Sequence, residues 1–211
     1  MLIAIDGPAA SGKGTIAEGL ARHFALKHLD TGLLYRAVGL KMIDRLEARD
    51  FSVMAIKEAQ NVDPQNLNPL ELDAGDVALA AAKVARVAGV RKALFQVQRD
   101  FATQKGGAVL DGRDIGSRIC PEADVKMFIT ASPEVRAARR TAQLGSRGIK
   151  VNFDETLKQI IERDESDRTN PAGAFYPGEG AHLLDTSNLD IESSLRAAIA
   201  IVDGAVTGKP D

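Results

Sequence analysis

The feature of the sequence that most constrains its fold is a glycine-rich segment between an apolar run and an amphipathic one. The segment consists of Gly7, Pro8, Ala9, Ala10, Ser11, Gly12, Lys13, Gly14 and Thr15. Residues 2–5 before it predict a short strand, and the apolar residues of 16–24 after it have helical spacing. Glycines let backbone N–H groups turn towards an anion, and a helix N-terminus adds the positive end of its dipole. The segment therefore predicts a phosphate-binding loop in which Lys13 supplies a charge for the β- and γ-phosphates of a nucleotide.

Four more short apolar runs predict strands, and helical segments separate them. These runs are 27–29, 108–110, 125–129 and 183–184. Such runs are typical of a parallel sheet that helices cover on both faces and that binds ligands at the carboxyl ends of its strands. We therefore expect an α/β fold with a doubly wound, five-stranded parallel sheet of the P-loop type.

One long stretch interrupts this alternation of strands and helices. Residues 49–104 contain no convincing strand pattern. They do contain apolar residues on one face of a predicted helix, namely Val90, Leu94, Val97 and Phe101. We predict an α-helical insertion at approximately residues 37–106, within a single domain of residues 1–211.

Charge and composition exclude several classes of function. The 27 Lys and Arg residues against 29 Asp and Glu give a formal net charge of −2, which provides no positive field for a nucleic-acid polymer. Aromatic residues make up 4% of the chain, too few for a base-stacking platform. The single cysteine cannot form an internal disulfide, and no apolar segment is long enough to span a membrane. We expect a cytoplasmic monomer that binds neither nucleic-acid polymers nor membranes.

A carboxylate at the end of one predicted strand indicates a magnesium site. Asp111 follows the run 108–110, where a carboxylate would hold Mg²⁺ or its water shell beside bound phosphates. Thr15 is the second expected ligand, because Gly14 occupies the position directly after the lysine. The three histidines lack metal-binding spacing and are interpreted as structural.

Arginines in the second half of the chain have a pattern that suits phosphoryl transfer. Arg113, beside Asp114, follows a strand end, and its guanidinium can bind a phosphate dianion in bidentate fashion. One face of a later predicted helix carries Arg136, Arg139, Arg140 and Arg147. This face is either a solvated basic surface or a lid, at approximately residues 136–150, that brings charge to the migrating group. The residues we predict to be catalytic are Lys13, Arg113, Arg136 and Arg140.

Charged residues at helical spacing also occur in the segment 163–168. The two possible pairs are Arg163 with Asp167 and Asp164 with Arg168. The second pair has the favourable acid-first order for a surface ion pair, so the first is better placed for a ligand.

Together these segments resemble the bacterial cytidylate kinases, which phosphorylate CMP and dCMP with ATP. The resemblance covers nearly the whole chain and is strongest at residues 5–15, 29–36 and 111–114. It implies a five-stranded parallel core with a nucleotide-binding insertion and a lid. It also implies ATP as co-substrate with Mg²⁺ as cofactor, and CMP or dCMP as acceptor.

The resemblance assigns roles to individual residues, with the loop 7–15 binding ATP. The acceptor-binding residues that it implies are Thr31, Arg36 and Arg113 for the phosphate, Arg91 and Asp114 for cytosine, and Arg163 and Asp167 for the pentose. The family commonly has a base-contacting Ser and Arg where this chain has Ala82 and Asn170. The preference among CMP, dCMP and UMP therefore stays open.

Two other functions also stay open. A P-loop kinase for another monophosphate or for a metabolite hydroxyl would share the loop and lid, and a hydroxyl acceptor would require a base, for which Asp30 is the candidate. A non-catalytic ATP-binding regulator would keep the loop but would have no use for Arg36, Arg113 and the lid arginines. For the cytidylate kinase function we expect in-line transfer without a general base, with the insertion and the lid closing on substrate.

Overall fold

A computed structural model describes residues 1–72, 75–170 and 175–207 and contains the five predicted strands. The strands are β1 (Leu2–Asp6), β2 (Lys27–Asp30), β3 (Ala108–Gly112), β4 (Val125–Thr130) and β5 (His182–Asp185). They form one sheet in the order β2-β3-β1-β4-β5. Strand β1 pairs in parallel with β3 and β4, and β4 pairs in parallel with β5. The predicted α/β fold with a five-stranded parallel sheet is confirmed.

Helices fill the segments between the strands. They are α1 (Lys13–His23), α2 (Thr31–Met42), α3 (Phe51–Gln60), α4 (Pro69–Leu72), α5 (Gly75–Val84), α6 (Ala88–Ala102), α7 (Pro133–Gly145), α8 (Phe153–Arg168) and α9 (Ile191–Thr207). A 3₁₀ turn at Ile43–Arg45 extends α2, and a single π-helical turn spans Ile115–Ile119 after β3. In the part of the chain that the structure describes, no helix is both long and apolar enough to cross a lipid bilayer.

The chain divides into two units. The first contains Met1–His28 and the chain from Gly106 onward, and the second contains Leu29–Lys105. Beyond the end of β2, the described residues of the second unit form no strand, as predicted for this stretch. Within it α2 and α5 pack closely at Gly39, where a Cβ would lie 2.7 Å from the backbone nitrogen of Ala81. The role of residues 37–106 as a nucleotide-binding insertion stays a prediction.

The core of the first unit holds β1 rigidly at the centre of the sheet. Residues 3–6 of β1 are all buried, as expected for a strand covered on both faces. Ile3 and Ile5 belong to a cluster with Leu20 of α1 and Val202 of α9. Each such side chain contributes about 1.5–3 kcal/mol by leaving water. The loop that follows β1 therefore starts from a fixed strand end.

Candidate active site

The loop of residues 7–15 turns tightly between β1 and α1. A Cβ at Gly7 would lie only 2.0 Å from the carbonyl oxygen of Ile129, so no other residue fits there. Ala10 (φ 59°) and Gly12 (φ 89°) both adopt left-handed backbone conformations. Gly12 is the N-cap of α1 and offers no side chain to the first-turn N–H groups. An anion can serve as acceptor for this turn, and phosphate binding by the loop stays a prediction.

Lys13 lies beside the carboxylate predicted to hold magnesium. Its Nζ is 3.6 Å from Oδ2 of Asp111, a side chain with no solvent exposure. The other carboxylate oxygen, Oδ1, is 2.8 Å from Nε2 of His28. A Cβ on Gly14 would be 3.9 Å from Oδ2, so this oxygen faces the start of α1. The strand end at β3 and the phosphate loop thus meet at Asp111.

The charges around Asp111 keep it ionised. Burial alone would raise the pKa of this carboxyl. The hydrogen bond from His28 and the positive charges of Lys13, His28 and Arg113 outweigh burial and hold the pKa below its usual value. An ionised Asp111 accepts the hydrogen bond, so Nε2 of His28 donates it.

The residues expected to hold Mg²⁺ have suitable donor chemistry. Asp111 offers a carboxylate oxygen and Thr15, exposed in the first turn of α1, offers a hydroxyl. Within the described ranges, no group of three or more His, Cys, Asp or Glu side chains could hold a metal ion alone. Proteins usually bind Mg²⁺ through one or two oxygen ligands together with substrate phosphates, and Asp111 and Thr15 offer ligands of that kind.

A further arginine holds the loop in place. Arg139 donates from Nη1 to the carbonyl oxygen of Ser11 at 3.2 Å and from Nη2 to the carbonyl oxygen of Thr186 at 2.7 Å. The hydroxyl of Thr186 donates to the same Ser11 carbonyl at 3.0 Å. We predicted Arg139 only as part of the arginine face. Its position on the helix indicated that its side chain lies on this face. No local sequence pattern indicated its contact with Thr186, which is distant in sequence.

Arg136, predicted to belong to the lid, is buried and hydrogen-bonded in this structure. Its side chain is 3% exposed, and its guanidinium donates to the carbonyl oxygens of Ala131 and Ala9 at 2.9 and 3.3 Å. Two further hydrogen bonds, of 3.0 and 2.5 Å, bind it to the carboxylate of Asp164 in α8. These contacts join α7 to α8, to the end of β4 and to the loop, and the catalytic role of Arg136 in a closing lid stays a prediction. The possible pair of Asp164 with Arg168 is also not formed, since Arg168 pairs with Glu165.

The outer part of the predicted lid is more open. Arg140 is half-buried and donates to Oε1 of Gln143 at 2.8 Å, and Arg147 is exposed between α7 and α8. Arg136 and Arg139 anchor the first half of α7. A closing segment in this region would therefore have to begin after them, so the range 136–150 stays a prediction that is best supported at its end.

Two residues predicted to contact the acceptor, Arg113 and Asp167, form an ion pair in the first unit. Arg113 donates from Nε to Oδ2 of Asp167 at 2.7 Å, and its guanidinium lies 5.9 Å from the ring centroid of Phe175. Asp167 thus pairs with Arg113, while Arg163 is exposed on α8. Asp114 is 6% exposed and immediately precedes the π-helical turn.

The remaining acceptor candidates belong to the second unit. Thr31 is buried at the first position of α2. Arg36 donates to the carbonyl oxygen of Leu72 at 2.8 Å. The guanidinium of Arg91 lies 5.9 Å from the ring centroid of Tyr35. Each is therefore held by neighbours within that unit.

Asp6, the last residue of β1, was not predicted to have a role. Its carboxylate accepts hydrogen bonds from the backbone N–H groups of Ile115 and Gly116 at 2.7 and 2.8 Å. It thus joins the start of the phosphate loop to the residues directly after Asp114. Burial raises the pKa of Asp6 to about 6, although these two hydrogen bonds lower it and the charge of Asp114 raises it further.

We expect this raised pKa to make the stability of the protein pH-dependent. The folded state binds the Asp6 proton more tightly than the unfolded state, whose pKa is near 3.8. The stabilisation is full below that value and is lost as the pH rises through about 6, a change of about 3 kcal/mol. Urea unfolding of the wild type and of Asp6→Asn between pH 4 and 7 should show their difference in unfolding free energy shifting by about 2 kcal/mol, in favour of the variant at pH 7. A difference independent of pH would contradict the prediction.

Comparison with known proteins identifies relatives along the whole chain. A model of the family described as cytidylate kinase matches residues 3–203. A protein named cytidylate kinase from Xanthobacter autotrophicus is 49% identical over 209 residues, which cover 99% of this chain and 100% of the relative. One of the same name from Azorhizobium caulinodans is 50% identical over 205 residues, covering 97% and 99%. An uncharacterized protein from Eubacterium ventriosum has a solved structure that matches with a TM-score of 0.56 at 14% identity, covering 96% and 98% of the two chains, and supports the fold alone.

Proposed function

This chain belongs to the cytidylate kinase family, and we propose that it transfers the γ-phosphoryl group of ATP to CMP or dCMP, giving ADP with CDP or dCDP. The single observation that carries the proposal is the meeting of Lys13, at the phosphate loop, with the buried Asp111 at the end of β3. This combination suits a nucleoside triphosphate with its divalent cation. We further propose that the protein acts in the cytoplasm as a monomer.

ATP binds at the loop of residues 7–15. The backbone N–H groups of the loop and of the first turn of α1 hold the phosphates. Lys13 neutralises charge on the β- and γ-phosphates as the bond to the γ-phosphoryl lengthens. Arg139 and Thr186 support the loop from behind through the Ser11 carbonyl, which keeps these donors in place before ATP arrives.

Thr15 and Asp111 would hold Mg²⁺, directly or through water. When bound, Mg²⁺ would supply positive charge that offsets the negative charge of the β- and γ-phosphates. The hydrogen bond from His28, together with the charges of Lys13, His28 and Arg113, keeps Asp111 ionised, and the burial of Asp111 limits competing hydration of its carboxylate.

The acceptor is a phosphate that is already ionised at neutral pH, so no side chain needs to remove a proton. Arg113, with Thr31 and Arg36 of the second unit, binds this phosphate. Arg91 and Asp114 bind the cytosine, and Arg163 and Asp167 bind the pentose. The Arg113–Asp167 ion pair orients the guanidinium before the acceptor binds. Catalysis then consists of positioning and charge neutralisation, to which Arg140 contributes from the lid.

The experiment that tests this function measures ADP formation from Mg-ATP with CMP, dCMP, UMP, AMP or GMP, each against a blank without acceptor. We expect turnover with CMP and dCMP to exceed turnover with UMP, because Arg91 and Asp114 suffice to distinguish the cytosine edge. Equal rates with CMP and UMP would mean that Ala82 and Asn170 leave the base pocket unselective. No turnover above the blank with any acceptor would exclude a nucleoside-monophosphate kinase and leave the metabolite kinase and the non-catalytic regulator.

The two alternatives receive less support from the geometry. A kinase for a metabolite hydroxyl would use Asp30 as base, but Oδ1 of Asp30 caps α2 by accepting a hydrogen bond from the backbone N–H of Gly32 at 2.8 Å. A non-catalytic regulator would bind ATP without turning over any acceptor, and the same panel of acceptors distinguishes it.

A further inference from the structure

His28 is the last residue of the first unit and lies in β2, at the edge of the sheet beside β3. Its side chain is 23% exposed, whereas that of Asp111 is fully buried. Nε2 of His28 and Oδ1 of Asp111 are 2.8 Å apart, although 83 residues separate the two in sequence. A partly exposed imidazole thus reaches in to a buried carboxylate that faces the phosphate loop.

The two oxygens of Asp111 have different neighbours. Oδ1 accepts the hydrogen bond from His28, and Oδ2 lies 3.6 Å from Nζ of Lys13 and beside Gly14. The terminal torsion of an aspartate side chain has a broad, two-fold distribution. Without the hydrogen bond from His28, the carboxylate would be restrained only on its Oδ2 side, by Lys13, and could rotate. With Oδ1 fixed by His28, the plane of the carboxylate is set and Oδ2 faces the loop.

We propose that His28 is a positioning residue for phosphoryl transfer, which orients Asp111 so that Oδ2 faces the phosphate loop and the divalent cation carried by ATP. The inference rests on the proposed function, because it assumes that ATP binds at this loop with its cation. In this role His28 acts through Asp111 and not through a contact of its own with nucleotide or metal. Side chains that hydrogen-bond to metal ligands commonly act in this way, because they fix the orientation of the ligand.

Two substitutions of His28 separate this role from a general effect on folding. The amide nitrogen of a glutamine reaches the place of Nε2, whereas that of an asparagine reaches only the place of Nδ1. His28→Gln should therefore keep the hydrogen bond to Asp111, and His28→Asn should lose it. Both variants are polar and uncharged at pH 8, so they differ mainly in reach. His23→Asn is the matched control, since His23 is exposed at the end of α1.

The primary measurement is the dissociation constant of ATP with Mg²⁺ and with EDTA in place of Mg²⁺, by calorimetry without acceptor. We expect the gain in affinity from Mg²⁺ to fall by about 10- to 100-fold in His28→Asn. The wild type, His28→Gln and His23→Asn should share the same gain. In turnover with CMP, kcat should fall in His28→Asn while the KM for CMP stays unchanged.

The outcomes are distinguishable from those for the proposed function. Equal Mg²⁺ gains in all four proteins would overturn the positioning role, even if His28→Asn were less active or melted earlier. Equal losses in His28→Gln and His28→Asn would also overturn it, since reach would not matter. The absence of CMP phosphorylation by the wild type would contradict the function, whereas the ATP measurements would still decide whether His28 controls the response to the cation.

Discussion

Replacing Lys13 with alanine is expected to lower kcat for CMP phosphorylation by about 10²- to 10³-fold, the usual cost of removing one preorganised charge that stabilises a transition state. Lys13 stands at the first position of α1, where the loop donors and the helix dipole already favour phosphate. Its additional charge therefore stabilises the transition state more than the ground state, because negative charge shifts towards the leaving oxygen during the transfer. The KM for ATP should change less than kcat, because the backbone donors remain.

The measurement is steady-state ADP formation at saturating ATP and CMP. Lys27→Ala is the control, because Lys27 is an exposed lysine at the start of β2 and should keep wild-type kcat. Removing Lys13 also leaves the buried Asp111 with one cation fewer, so the variant should melt earlier than Lys27→Ala. A folded Lys13→Ala protein with near-normal turnover would contradict the proposed mechanism.

The sequence was sufficient to predict the loop between β1 and α1 and the strand end at Asp111, while the roles of these residues stay predictions. The loop, its lysine and the five strands depend on local spacing, and all five predicted strands are present. Asp111 was predicted from its place at a strand end, and β3 does end beside the loop because β3 and β1 are paired neighbours. The local sequence pattern and the pairing of the strands therefore indicate the same position for Asp111.

The partners of these residues could not be predicted in the same way. The contact of His28 with Asp111 depends on β2 lying next to β3, which the sequence order of the strands does not reveal. His28 was therefore interpreted as structural. The contact of Asp164 with Arg136 depends on how α8 lies against α7, and helical spacing alone suggested a different partner for Asp164.

The burial of Arg136 could not be predicted from the sequence either. The spacing of Arg136, Arg139 and Arg140 correctly indicates neighbouring positions on α7, but the rotation of the helix about its axis decides which of them is buried. An arginine is rarely buried unless it is paired, and the carboxylate that pairs with Arg136 comes from another helix. Arg136 is consequently buried and held by four hydrogen bonds, although the sequence indicated only its place on the arginine face.

Replacing Arg136 with alanine is therefore expected to destabilise the fold. The change removes four hydrogen bonds that join α7 to the loop, to the end of β4 and to α8. Breaking a buried ion pair costs about 3–5 kcal/mol, and because Asp164 remains 27% exposed we expect about 3 kcal/mol. Urea unfolding monitored by circular dichroism measures the loss of unfolding free energy.

Arg140→Ala is the matched comparison on the same helix. Arg140 is half-buried and its contact with Gln143 lies on the helix surface, so its removal should cost less unfolding free energy than the removal of the buried, ion-paired Arg136. If Arg140 reaches the transferred phosphoryl from the lid, Arg140→Ala should still lower kcat, so stability and turnover would separate between the two variants. An Arg136→Ala protein with wild-type stability and strongly reduced kcat would instead support Arg136 as a mobile catalytic arginine, because a held side chain cannot be lost without cost to the fold.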